Sequence, residues 1–177
     1  MENHPPFGVN RKETRRMIIR RTHPSEVDEV MQIYANARAF MIESGNADQW
    51  GSTHPARSLI ESDIATERGF VVEDNGEIVG AFFFNIGIDP TYLRIYDGSW
   101  INENEYGVIH RIAVKYHGRG IADFIYQHCF NQVKSLRIDT HEDNLPMQRS
   151  LQKNGFLKCG TIYLESGDKR IAYQKVK

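Results

Sequence analysis

Hydrophobic positions along the chain switch repeatedly between a period of two and a period near 3.6, and the switches mark the elements. "MIIRRTH" (17–23) reads as a first strand. Ser25 then caps a predicted helix, "SEVDEVMQIYANARAFMIESG", with Glu26, Asp28 and Glu29 in its first turn. Val27, Val30, Met31, Tyr34 and Ala37 fall at helical spacing, and Gly45 is its stop. A second helix is predicted over 55–67, with Leu59, Ile60 and Ile64 on its inner face. "FVVEDNGEIVGAFFFNIGI" (70–88) is two β-rich runs joined across Asn75-Gly76, a pair suited to the positive φ angles of a hairpin turn.

Residues 89–105 form a long link of turn formers and aromatics. "YGVIHRIAV" (106–114) then alternates as a strand, and "GIADFIYQHCFNQV" (120–133) carries Ile121, Phe124, Ile125, Cys129 and Val133 at helix spacing. "SLRIDT" (135–140) is a short strand. "NLPMQRSLQKNG" (144–155) is a helix capped by Asn144 and stopped by Gly155, and 156–165 and 169–176 close the chain as a hairpin. The order β-α-α-β-β-β-α-β-α-β-β predicts an α+β (mixed α/β) fold: a mixed, mostly antiparallel sheet with helices on both faces and one parallel crossover over 106–140. The polar stretch 1–15, with Pro5, Pro6 and Gly8, reads as a flexible arm, and 16–177 as a single domain.

Composition narrows the class. With 177 residues, 40% hydrophobic, the chain can bury a core without metal or disulfide staples. A formal net charge of −1 does not advertise a polyanion partner, and the basic cluster Arg11, Lys12, Arg15, Arg16, Arg20 and Arg21 lacks interleaved aromatics, so no nucleic acid is expected. Two cysteines, Cys129 and Cys159, make no disulfide framework. The N-terminus lacks a signal-peptide core, and the longest apolar run, Ile78 to Phe84, is too short to span a bilayer. A cytoplasmic protein with no membrane partner is expected. His54, His128 and His141 have no zinc spacing, and no metal is expected.

"HGRG" (117–120) sits where a strand hands over to a helix. Such a helix start has unpaired N–H groups and a partial positive charge. Gly118 and Gly120 would let a bulky anion approach the backbone, Arg119 adds a fixed charge, and no Ser, Thr, Asp or Asn is placed to cap the helix. Pyrophosphate suits such a cradle, although a tight turn with no ligand is an equal reading of G-R-G alone. There is no G-x-x-x-x-G-K-[ST] of a nucleoside triphosphatase, and the third glycine of the dinucleotide fingerprint is missing.

With its surroundings, the motif resembles that of the GNAT superfamily of acetyl-CoA-dependent N-acetyltransferases. The pattern [R/Q]-x-x-G-x-[G/A] follows a strand ending in an apolar-Ala-Val triplet, and the later Asn, helix, Gly-Phe pattern is matched by Asn144 and Gly155-Phe156. The resemblance implies acetyl-CoA (coenzyme A) as co-substrate. Backbone of Ile112, Ala113 and Val114 would pair with the pantetheine arm, backbone of His117, Gly118, Arg119, Gly120, Ile121 and Ala122 would hold the pyrophosphate, Asn144 the thioester end, and Lys153 would approach the phosphates. Asn144 can also serve as an ordinary N-cap if its two polar ends divide the work. Two departures stand out: His117 replaces Arg or Gln at the first position, and Leu151 occupies the place of the tyrosine that many members use as the acid for the leaving thiolate.

A thiol pKa of about 8.5 makes that acid helpful rather than obligatory: coenzyme A can leave as thiolate or take its proton from water, from Ser150 or from a nearby tyrosine such as Tyr126. An alkyl amine, with a pKa near 10.4, needs a base. His110 is the candidate, on the strand face shared with Val108 and Ile112; a half-buried structural histidine is the competing role. The link 89–105, with Asp89, Asp97, Glu103 and Glu105 beside Tyr92, Tyr96 and Trp100, reads as an acidic, aromatic rim for a cationic amine on a small molecule, peptide or protein, joined by Asp48 and Trp50. Solvated acids and edge-sealing aromatics are the plainer alternative. Leu151 keeps a second function open, a non-catalytic acyl-CoA sensor, and exposed sheet edges keep a homodimer open.

Overall fold

The structure is a computed structural model that describes residues 16–177; the arm expected over 1–15 lies outside them. The elements run β1 (Met17–Arg21), α1 (Val27–Glu43), α2 (Arg57–Ala65), β2 (Gly69–Asp74), β3 (Glu77–Ile86), β4 (Gly107–Val114), α3 (Ile121–Phe130), β5 (Ser135–Thr140), α4 (Leu145–Lys153), β6 (Leu157–Tyr163) and β7 (Lys169–Val176). They follow the order read from the hydrophobic pattern and make one seven-stranded sheet, β1-β2-β3-β4-β5-β7-β6. Every pairing is antiparallel except β4 with β5. The hairpin between β2 and β3 turns at Asn75 (φ 52°) and Gly76 (φ 85°), the positive angles that this pair adopts readily.

The start of the first helix differs from the reading of the sequence. Ser25 lies inside a short 3₁₀ turn, Pro24–Glu26, and α1 begins at Val27. Glu26 does the work assigned to Ser25: its carboxylate accepts the His23 N–H at 2.8 Å, tying down the entry to the helix.

Two layers cover the sheet. On one face α3 and α4 bury Ile121, Ile125, Tyr126, Cys129 and Leu151 against Phe82, Ile109, Leu136 and Ile138. On the other, α1 and α2 bury Val30, Ile33, Tyr34 and Ile60 against Val71, Ala81 and Ala113. The same face of the β5–β7 half is covered by the link between β3 and β4, whose Tyr92, Trp100 and Tyr106 pack on Val108, Ile162 and Ala172. The link is thus a wall of the fold. Tyr96 exchanges backbone hydrogen bonds with Thr161, and Ser99 N–H donates to the Cys159 carbonyl. Gly98 and Gly160 are required by this approach, since a Cβ at Gly98 would stand 1.9 Å from the Cys159 oxygen and one at Gly160 2.5 Å from the Tyr96 oxygen. The Arg137 guanidinium, 1% exposed, lies 4.0 Å from the centres of both the Trp100 and Tyr106 rings.

Two irregularities place the site. β4 and β5 pair only at Gly107–Leu136 and Val108–Arg137, then separate, opening a cleft between strands that are otherwise neighbours in the sheet. In addition, the β3–β4 register slips between Ala81 and Phe83, so that β4 carries one extra residue at Arg111–Ile112. Arg111 adopts φ 51°, a left-handed conformation costly for a residue with a side chain.

Candidate active site

The cleft between β4 and β5 holds two connected cavities. A narrow one of about 160 Å³ runs beside Ile112, Ala113 and Val114 of β4 to His117 and Ala122, with Tyr126, Ser150 and Phe40 on its walls. A wider one of about 550 Å³ is lined by Trp50, His54, Asp89, His110, Asp139 and Arg170, among others. They share Met41, Ile112, Asn144 and Met147, which therefore mark the junction. Past Val108 the edge of β4 has no ladder to β5, so alternate backbone groups of Ile112 to Val114 face the narrow channel.

At the far end of that channel α3 begins at Gly120 with no side chain capping it. Gly118 and Gly120 take φ of 73° and 74°, and a Cβ on either would meet nothing within 4 Å. The loop therefore presents a concave backbone with open space before it, on the positive end of a ten-residue helix. His117 stacks on Phe40 of α1 at 3.9 Å between ring centres, which fixes the ring against a neighbouring helix. The Arg119 guanidinium lies 4.0 Å over the Tyr116 ring. Lys153 pairs with Asp123 in the first turn of α3 at 3.1 Å and remains 73% exposed, close to this loop but on neither cavity wall.

Asn144 divides its polar ends. Its Oδ1 accepts the Met147 N–H at 3.2 Å, capping α4, while Nδ2 donates to Gln49 Oε1 at 2.9 Å, leaving a second amide hydrogen at the junction. Gln49 is a hub that the sequence pattern did not reveal. Its side chain also accepts from Asn46 at 2.8 Å, and its carbonyl accepts from Arg170 at 3.1 Å, so the 46–54 loop is anchored over the wide cavity.

His110 sits on the wall of that cavity, 23% exposed at its side chain. The bulge corrects its expected neighbours. His110 shares a face with Val108, but the extra residue at Arg111 reverses the alternation, and Ile112 joins the α3 side together with Ile109 and Val114. His110 Nε2 lies 2.6 Å from Asp89 Oδ2, while Asp89 Oδ1 accepts from the Thr91 N–H at 2.9 Å and hydroxyl at 2.6 Å. Burial alone would push the Asp89 carboxyl up; the His110 and Thr91 hydrogen bonds more than reverse this and hold it at about 2. An ionised carboxylate only accepts, so Nε2 carries the hydrogen and, in the neutral ring, Nδ1 is the free base. Nδ1 faces Asp139 Oδ2 at 3.9 Å, and that oxygen accepts from the Tyr92 hydroxyl at 2.7 Å. Asp139 is a second residue the pattern missed, although its place at the carboxyl end of β5, beside the strands' divergence, is where ligands gather in such sheets. A third is Arg111, whose guanidinium forms a two-pronged pair with buried Asp63 (3.0 and 2.8 Å) and whose backbone makes the bulge.

The other expected site residues divide sharply. Trp50 lines the wide cavity, edge-on to Tyr34. Tyr126 and Ser150 line the narrow one; the Tyr126 hydroxyl donates to Met147 Sδ at 3.2 Å. Burial pushes the Tyr126 phenol up, against a smaller pull from Ser150, so it keeps its proton near neutrality. Tyr92 is buried; its hydroxyl donates to Asp139, and its ring stands 5.9 Å from that of His110. Tyr96 and Trp100 line neither cavity: the first is held to β6, and the Trp100 indole donates to the Tyr92 carbonyl at 3.0 Å within the wall. Tyr92, Trp100 and Tyr106 of the link serve its own packing, and among its acids Asp89 alone lines the wide cavity. Leu151 is fully buried in the core and does not line the channel.

A splayed strand pair, an uncapped glycine loop at a helix start and two cavities meeting on a bulged strand define an acyltransferase fold. The GNAT acetyltransferase family profile matches residues 30–156, and the chain belongs to that family. A GNAT-family acetyltransferase from Streptococcus agalactiae is 34% identical, with a TM-score of 0.83 over 91% of this chain and 95% of that one. One from Listeria monocytogenes shares the fold at 19% identity and a TM-score of 0.68, over 91% and 95%. YncA of Salmonella typhimurium, solved with its cofactor acetyl-CoA, shares it at 14% and 0.60, over 90% and 93%. No curated protein matches the chain. Among the described residues no helix is long and apolar enough to cross a membrane.

Proposed function

We propose that residues 16–177 form one N-acetyltransferase domain that moves an acetyl group from acetyl-CoA to a primary amine by direct attack in a ternary complex. The observation that carries this reading is the junction at Ile112, Asn144 and Met147, where the narrow channel opens into the cavity holding His110. The residues present fit the co-substrate. The 117–122 backbone offers N–H groups and open space to a pyrophosphate, the β4 edge offers strand-like pairing to a pantetheine arm, and the second Asn144 Nδ2 hydrogen, at the junction, would serve the thioester end. Acetyl-CoA, when bound, supplies an acyl group already activated as a thioester.

The chain's own side chains then manage protons. Asp89 fixes the His110 tautomer and stabilises the imidazolium that forms when Nδ1 takes a proton from the incoming ammonium. Asp139, beside Nδ1, attracts that ammonium into the cavity. Tyr126, with its phenol kept protonated, would donate to the departing sulfur and recover its proton from the nitrogen of the new amide, with Ser150 beside it. Leu151 favours one other reading, an acyl-CoA sensor without turnover.

Free thiol released from acetyl-CoA in the presence of an amine panel is the test. Release that depends on the amine, and that falls on replacing His110 with Gln, is expected. Binding of coenzyme A by calorimetry without release above background for any amine would establish the sensor instead, and absence of binding heat would remove both.

A further inference from the structure

The wide cavity is not uniformly acidic. Its base-bearing end holds His110, Asp89 and Asp139, but Arg170 of β7 lies in the same wall and is only 6% exposed. Its guanidinium donates to two backbone carbonyls, Lys169 O at 2.9 Å and Gln49 O at 3.1 Å, and its remaining N–H groups have no protein acceptor among the described residues. Arg111, its basic companion in the cavity, is neutralised by a two-pronged pair with Asp63, and Arg137 is clasped by rings and by Glu103. Among the described residues Arg170 has no such carboxylate. Asp139 and the exposed Asp168, both in the cavity wall, make no ion pair with it.

A guanidinium this buried, with donors unspent and no counter-charge in contact, is expensive unless an anion completes it. Its geometry suits a carboxylate, which can take two parallel N–H donors. The local field agrees: the His54 imidazole in the same wall is pushed down by burial and then by the charges of Arg111, Arg170 and Arg38. The register sets the spacing. Asp139 is opposite Ala172, and Arg170 lies two residues further on the same face of β7, so the two are separated by about 7 Å along the strand. One end of the cavity therefore attracts an amine, and the other, a short distance away, a carboxylate.

We propose that the acceptor is an amino carboxylate, a small amino acid whose amine meets His110 and Asp139 while its carboxylate is held by Arg170. This narrows the cationic acceptor expected from the acidic link, and it rests on the N-acetyltransferase reading above. Exposed Asp48 and Asp168 at the rim leave the selection of the acid's side chain to Trp50 and His54.

The test is a matched series: α- and ω-amino acids, each with its carboxamide and its decarboxylated amine, assayed by thiol release from acetyl-CoA with the wild-type chain and with Arg170→Gln and Arg170→Lys. For the best amino acid, kcat/KM is expected to exceed that of its amide and of its amine by at least 30-fold. Arg170→Gln should lower it by at least 30-fold more than it lowers the value for the plain amine, which shares any effect of loosening the 46–54 loop, and Arg170→Lys should recover part of the difference. Amides or plain amines used as well as the acids, or an equal loss for all three in Arg170→Gln, would overturn the proposal. Thermal shift with coenzyme A present gives a readout without turnover. Stabilisation by amino acids and not by amides upholds the carboxylate subsite even if no thiol is released, which would then sink the catalytic reading alone. Equal or absent stabilisation by both would sink the subsite.

Discussion

His110 and Asp89, 21 positions apart in the chain, meet at 2.6 Å between Nε2 and Oδ2. The contact exists because the link after β3 returns Asp89 to the divergent end of β4. There the Asp89 N–H donates to the Tyr106 hydroxyl at 3.0 Å and Thr91 holds its other carboxylate oxygen. Position, tautomer and charge are settled together.

Asp89→Asn should therefore lower kcat/KM by about 100-fold, because the amide can steer the ring to the wrong tautomer. It should also change the acid limb of stability. The folded carboxyl titrates at about 2, below its ordinary 3.8, so Asp89 stabilises the fold fully above pH 4 and loses that contribution as pH falls towards 2. Melting temperatures measured from pH 2 to 7 should separate wild type from variant above pH 4 and bring them together near pH 2.

Gly120 offers a cleaner test of the anion cradle. Asn and Asp both tolerate its φ of 74° better than other side chains, and a Cβ there meets only open space. Gly120→Asn should leave the calorimetric Kd for coenzyme A within about 5-fold, whereas Gly120→Asp should weaken it by at least 10-fold through repulsion of the phosphates. Equal effects would mean that the loop is only a turn.

Trp50 and Trp100 should behave oppositely. Trp100 is wedged between Arg137 and Tyr92 in the wall of the fold, so Trp100→Ala should cost about 3–5 kcal/mol of stability in urea titration and leave the acceptor KM unchanged. Trp50 lines the wide cavity while its body packs in the core, and Trp50→Phe should raise the acceptor KM several-fold with a smaller loss of stability than Trp100→Ala.

Tyr126→Phe removes the one hydroxyl that donates to Met147 beside the junction. Because a thiolate is a tolerable leaving group, kcat should fall by roughly 10- to 100-fold rather than vanish, with KM for acetyl-CoA unchanged in steady-state kinetics.

The sequence by itself determined the element order, the hairpin at Asn75-Gly76, the uncapped glycine loop at 117–120 and the Asn144 cap. Each depends on residues adjacent in the chain, whose backbone preferences and periodicity are local physics. The tertiary structure alone decided the rest. Periodicity placed His110 and Ile112 on one face, yet a one-residue bulge parted them, because the slip lies in the pairing with β3 and leaves no mark on β4's own alternation. The link's aromatics looked like a substrate rim, but burial depends on what faces them, and they faced Arg137 and β6. Asp89, Asp139, Gln49 and Arg170 come from four separate segments. Only the separation of β4 from β5 beyond Val108 makes the space in which those groups converge.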